Sequence, residues 1–136
     1  MKTPQDVINE ARTWADTPFH HQGRVKGAGV DCVGLIIGVA RALELADYNY
    51  SEPYGRIPSP NIMGRELRQN MTPTVEIVPG CVLWFAFAAA PMHLGIVTDT
   101  GLIHAYSLAG KVVETGLDPQ WIARKRGAFL YPGVAY

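Results

Sequence analysis

Three residues of this chain have the types needed for covalent chemistry: Cys32 in VDCVGLII (30–37), His93 in HLGIVT (93–98) and His104 in LIHAY (102–106). A thiolate is the nucleophilic form of cysteine. An imidazole can take and return its proton, and a third group can hold that imidazole in one tautomer. Asp31 is a strong N-cap residue, able to accept from the free N–H groups of a helix's first turn, and it sets Cys32 inside that turn. Unpaired N–H groups and the helix dipole favour an anion there. The placement therefore predicts a thiol of lowered pKa, its sulfur facing outward, with an oxyanion site beside it. The roles that follow are Cys32 as nucleophile, His93 as general base and then acid, and His104 as the group that orients His93. Three blander readings stand beside this one: a core cysteine on a core helix, histidines that are merely structural, and zinc. Zinc ligands would here be scattered singly, without a CxxC or HxxxH pair, and no fourth ligand is evident.

Whether the histidines meet depends on a hairpin, for which Asp99-Thr100-Gly101 is the turn signal. With a four-residue loop, Thr98 to Gly101, His93 falls opposite Tyr106 and His104 opposite Gly95. Both imidazoles then share a face as a diagonal pair, roughly 7–8 Å apart at Cα. A two-residue loop, Thr100-Gly101, keeps the common face but separates them further, and a slip of one residue puts them on opposite faces. The element that carries the cysteine is clearer. Val33 to Leu45 is apolar almost all round, with Arg41 and Glu44 its only charges, which predicts a helix over about 31–46 buried on most sides.

The remaining elements follow from periodicity. Residues 3–16 read as a helix, with Thr3 as cap, Pro4 in the first position and Val7, Ile8, Ala11, Trp14 and Ala15 on one stripe. Residues 17–30, TPFHHQGRVKGAGV, form a glycine-rich loop running into Asp31, a place for close approach of backbone to ligand. Residues 47–60 read as irregular, and 61–71 as a short helix with Ile62, Met63, Leu67 and Met71 on one side. From Cys81 the period changes: VLWFAF (82–87), KVVET (111–115) and AFLYP (128–132) read as strands, and Asp118-Pro119 opens a helical turn around Trp121. Trp84 and Tyr106 are core residues on this reading, with cleft lining as the alternative. Helices first and a small antiparallel sheet after predict an α+β domain with the helices on one face, one domain over 1–136.

Composition narrows the function. Twelve basic and twelve acidic residues cancel, which argues against a nucleic-acid partner, and Arg124-Lys125-Arg126 reads as a solvated face. Apolar residues make up 48%, so disorder is excluded. Two cysteines do not make a disulfide framework, and two free thiols are expected. Residues 1–16 lack the apolar region of a secretory signal, and the longest apolar run, Cys81 to Met92, is too short to span a bilayer. The expectation is a soluble protein, cytoplasmic when made, with no membrane partner and no cofactor.

The segment TPFHHQGRVKGAGVDCVGL resembles the nucleophile region of the NlpC/P60 cysteine peptidases, and PGCVLWF and MHLGIV…LIHAY resemble that family's PGD strand and its two histidine strands. The likeness runs in order across nearly the whole chain. It is closer to the phage-tail branch, whose members tend to carry a PYxHQ-like loop, a YGR segment, a tryptophan and a terminal FxxPG-like strand. Here these read Pro18-Phe19-His20-His21-Gln22, Tyr54-Gly55-Arg56, Trp121, and Phe129 to Gly133. The resemblance implies a papain-like α+β fold with a Cys-His-His triad at Cys32, His93 and His104. It also implies action on peptidoglycan stem peptides, commonly at the bond after D-glutamate. Three positions depart from the family pattern: Val33 replaces a serine, Phe19 a tyrosine thought to serve substrate or oxyanion, and Cys81 the PGD aspartate. His21 or Gln22 is a candidate replacement for the missing hydroxyl donor, and Asp31 a candidate for meeting a substrate amine, which makes Phe19, His21, Gln22 and Asp31 the substrate-binding set.

The expected function is thus a thiol hydrolase of cell-wall stem peptides in a phage or prophage tail, in company with other tail proteins and delivered by the particle or by lysis. The alternatives are a tail subunit that keeps the fold without turnover, and a thiol amidase or acyltransferase on another substrate.

Overall fold

The structure, a computed structural model, describes residues 1–45, 60–87 and 90–136. Most of the segment read as irregular, with Tyr54-Gly55-Arg56, lies outside the described residues.

Helix α1 (Pro4–Arg12) starts where expected, because Thr3 and Asp6 satisfy each other's backbone N–H groups. It stops short of residue 16. Asp16 turns left-handed (φ 67°), and the chain passes its peptide groups to a strand edge, with Asp16 N–H donating to Val112 and Val112 N–H to Thr17. The loop to the next helix holds a small hairpin, β1 (Arg24–Val25) with β2 (Gly29–Val30), too short to leave a periodic signal. Helix α2 (Cys32–Ala42) begins at the cysteine, with Asp31 as its cap. Val33, Leu35, Ile36, Ile37, Val39 and Ala40 are all buried, and each Leu or Ile contributes about 1.5–3 kcal/mol on leaving water. Helix α3 (Pro60–Asn70) turns Met63 and Leu67 inward, followed by Met71; the side chain of Ile62, the fourth member of the predicted stripe, lies outside the described residues.

The strands are β3 (Thr72–Thr74), β4 (Val82–Phe87), β5 (Ala90–Val97), β6 (Leu102–Tyr106), β7 (Lys111–Thr115) and β8 (Lys125–Leu130), with the short helix α4 (Pro119–Ala123) before β8. They form one antiparallel sheet in the order β3-β8-β4-β5-β6-β7. Alternation gives the sheet two apolar faces. Trp84, Met92, Leu94, Ile96, Ile103, Ala105 and Phe129 pack under α1, α2 and α3. Leu83, Phe85, Val97, Leu102 and Ala128 point the other way, where Ile77, Leu117 and Trp121 of α4 cover them. The α+β expectation holds, with one refinement: α4 lies on the face opposite the other helices.

Candidate active site

The hairpin that had to bring the histidines together does so. β5 pairs with β6 at Ile96↔Ile103 and Val97↔Leu102, the register of the four-residue loop. Bonds within the turn and to β7 fix that loop. Thr98 N–H donates to Gly101, Gly101 N–H to the Thr98 hydroxyl, and the hydroxyls of Thr98 and Thr100 both donate to Glu114 on β7. His93 Nε2 and His104 Nδ1 are 2.7 Å apart, both rings buried. His104 Nε2 in turn meets the Thr115 hydroxyl at 3.0 Å. The sequence reading did not name Thr115: a threonine in a strand carries no motif, and its place follows from the Leu102↔Thr115 register alone. The pair lies on the α4 face. Trp121 sits 5.7 Å from His93 and 5.1 Å from His104 by ring centroids, Tyr106 stacks on His104 at 5.1 Å, and Phe85 and Phe87 close the sides of His93. Enclosure by rings disfavours imidazolium, so burial lowers the pKa of both histidines, with His104 adding to the effect on His93.

Cys32 arrives from the other face. Its thiol donates to the carbonyl of Met92 at 3.7 Å, and Leu94 N–H is placed to stabilise the thiolate. Those are the peptide groups on either side of His93. Strand alternation explains why they are available. Val97 spends its N–H and carbonyl on Cys81 and Gly80 on the β4 side, so Ile96, Leu94 and Met92 turn theirs toward β6. The sulfur thus lies on the β6-facing margin of β5, level with His93.

One expectation is corrected here. The helix N–H groups of Cys32 and Val33 do favour the thiolate, but burial of the sulfur, and next the Asp31 carboxylate, outweigh them and push the thiol up to about 12. Nor does the sulfur simply face outward: Cys32 is half-buried, and its thiol turns to the Met92 carbonyl. Cys81 is buried, and both cysteines are free.

The loop residues lie about the start of α2. Asp31 is buried, with Oδ1 accepting from Gly34 N–H at 2.7 Å and Oδ2 from Gln22 N–H at 2.8 Å, while Arg24 stands 3.8 Å away. Gln22, left-handed at φ 61°, keeps its side chain exposed. Phe19 is half-buried against the helix-side core, its N–H bonded to Gly110 and its backbone beside Val30. His21 is half-buried. Of the two strand aromatics, Trp84 is core and Tyr106 lies against the histidines.

No family model matches the sequence, and no curated protein matches it either. Solved structures do. An NlpC/P60 family protein from Bacillus cereus superposes with TM-score 0.69 at 20% identity, over 95% of this chain and 40% of its own. The NlpC/p60 domain of the peptidoglycan hydrolase SagA gives 0.65 at 19% identity, over 93% of this chain and 97% of that domain. NlpC2 of Trichomonas vaginalis gives 0.68 at 15% identity, over 95% of this chain and 46% of its own. The fold is that of papain-like NlpC/P60 domains. The chain spans less than half the length of the Bacillus cereus and Trichomonas proteins.

Proposed function

We propose that this chain is a cysteine peptidase that hydrolyses amide bonds in peptidoglycan stem peptides, of the γ-D-glutamyl type, with Cys32 as nucleophile, His93 as general base and His104 as its orienting partner. The observation that carries the reading is the buried 2.7 Å His93–His104 bond, set beside a sulfur that bonds to the peptide next to His93. That bond uses Nε2 of His93, leaving Nδ1 for the thiol. At rest the site holds a thiol and a neutral imidazole. His93 takes the thiol proton as the sulfur attacks the scissile carbonyl carbon, forming the S–C bond. It returns the proton to the departing amine as the C–N bond breaks, then takes one from the water whose oxygen bonds to the thioester carbon, and passes it to the sulfur as the S–C bond breaks. The N–H groups at the start of α2 face the developing oxyanion.

The substrate class is supported by the shared fold with the SagA domain, and a phage-tail setting by the PFHHQ loop, Trp121 and the terminal strand. Phe19, His21 and Gln22 are the proposed substrate contacts, with Asp31 holding their loop from within. Delivery by a tail particle or by lysis would bring such an enzyme to the wall. The raised thiol pKa favours a second reading, a tail subunit that keeps the fold without turnover. Digestion of purified peptidoglycan with mass analysis of the products separates the two. Wild type should release stem fragments cut after D-glutamate and Cys32→Ala none; folded wild type releasing nothing would overturn the enzymatic reading.

A further inference from the structure

We infer that Thr115 is a positioning residue of the site: its hydroxyl accepts the Nε2 proton of His104 and so keeps Nδ1 of His93 bare, the state a general base needs. The inference rests on the reading of His93 as the base, and deepens it.

The three groups form a chain with one proton in each link. His93 Nε2 meets His104 Nδ1 at 2.7 Å, and His104 Nε2 meets Thr115 Oγ1 at 3.0 Å. Neutral imidazoles carry one N–H each, so the two protons run in the same sense. If they point toward Thr115, His93 donates through Nε2 and its Nδ1 is a free base. If they point away from it, Thr115 donates to His104, His104 donates through Nδ1, and His93 carries its proton on Nδ1, where it cannot take another. Protonated His93 allows the first arrangement alone, since both of its nitrogens then carry hydrogen. His104 must accept at Nδ1 and donate at Nε2. The Thr115 oxygen is the acceptor on that side, and without it a buried N–H is left unpaired as the charge develops.

The fold holds this oxygen in place on both sides. The neighbouring Glu114 accepts from Arg12, Thr98 and Thr100, which pins β7 to the β5–β6 turn. At Gly101 an added Cβ would run into the Thr115 carbonyl, so the start of β6 packs directly on the Thr115 backbone. The pairing Leu102↔Thr115 then fixes the hydroxyl diagonally from His104.

Nitrogen-15 shifts of the imidazoles in folded wild type, read above pH 7, test the assignment without any need for turnover. The expected result is His104 protonated at Nε2 and His93 bare at Nδ1; His104 protonated at Nδ1 overturns the proposal. Thr115→Val should lower kcat for stem-peptide cleavage on the order of 10- to 100-fold with KM nearly unchanged and the His104 shifts displaced, while Thr115→Ser restores both. Thr115→Val with wild-type kcat and unmoved shifts overturns it equally. If wild type cleaves no stem peptide, the peptidase reading fails by itself and the tautomer result still decides the role of Thr115.

Discussion

At the scale of single residues, the account turns on a thiol that is not an anion at rest. Burial and the Asp31 carboxylate set its pKa against the pull of the helix N–H groups. Ultraviolet titration of thiolate should therefore show no ionisation of Cys32 below about pH 9, and iodoacetamide labelling should be slow at neutrality and rise at alkaline pH; a labelling plateau near pH 7 would contradict this. Asp31→Asn removes the charge, so it should lower the thiol pKa, but it keeps a single acceptor oxygen, and the N–H of Gln22 or Gly34 that loses its partner should cost about 1 kcal/mol. Asp31→Ala also loses the cap and should cost about 1–2 kcal/mol in chemical denaturation. The sequence displayed Cys32, His93 and His104 by type, and displayed Asp31 as a cap. It concealed the sign of the thiol shift, because helix N–H groups are local to the sequence while the enclosing core is assembled from distant strands. Thr115 was concealed for the same reason.

At the scale of elements, two features build the candidate site: a close approach at α2 sets Cys32, and a hairpin sets the histidines. An added Cβ on Gly34 would strike the carbonyl of Gly23, so α2 and the loop before it fit together through a missing side chain. Gly34→Ala should destabilise the protein by roughly 1–3 kcal/mol and speed amide exchange at Gln22, whose N–H is held by Asp31. Unchanged exchange there would show that the loop does not lean on α2. The second feature is the β5–β6 hairpin. Its strands were legible from composition, but its loop length was not, because Thr98 and Thr100 are secured by Glu114, itself gripped by Arg12 from the first helix. β1, β2 and β3 were missed because two- and three-residue strands exist only through their partners.

At the scale of the whole molecule, two histidines stay neutral inside the fold and become charged when it opens. Both have lowered pKa values in the folded state, so the unfolded chain binds more protons below about pH 6.5. Stability should fall as pH drops from 6.5 toward 5, a window in which most carboxylates have yet to titrate, and the melting temperature should follow. Replacing both histidines with glutamine should flatten that slope; an equal slope in the variant would place the acid sensitivity elsewhere. The order of the elements, helices first and strands after, made the layered fold legible in the sequence. The second apolar face, where α4 roofs the histidines, was not legible, since a five-residue helix offers too little periodicity to assign a side. The claim on which all of this depends is that Cys32 becomes acylated. Intact-mass analysis of acid-quenched protein mixed with stem peptide should find the acyl fragment on Cys32, absent in Cys32→Ala and in His93→Ala. Cleavage of the peptide with no adduct at Cys32 at any time point, or with full rate in Cys32→Ala, would contradict the account.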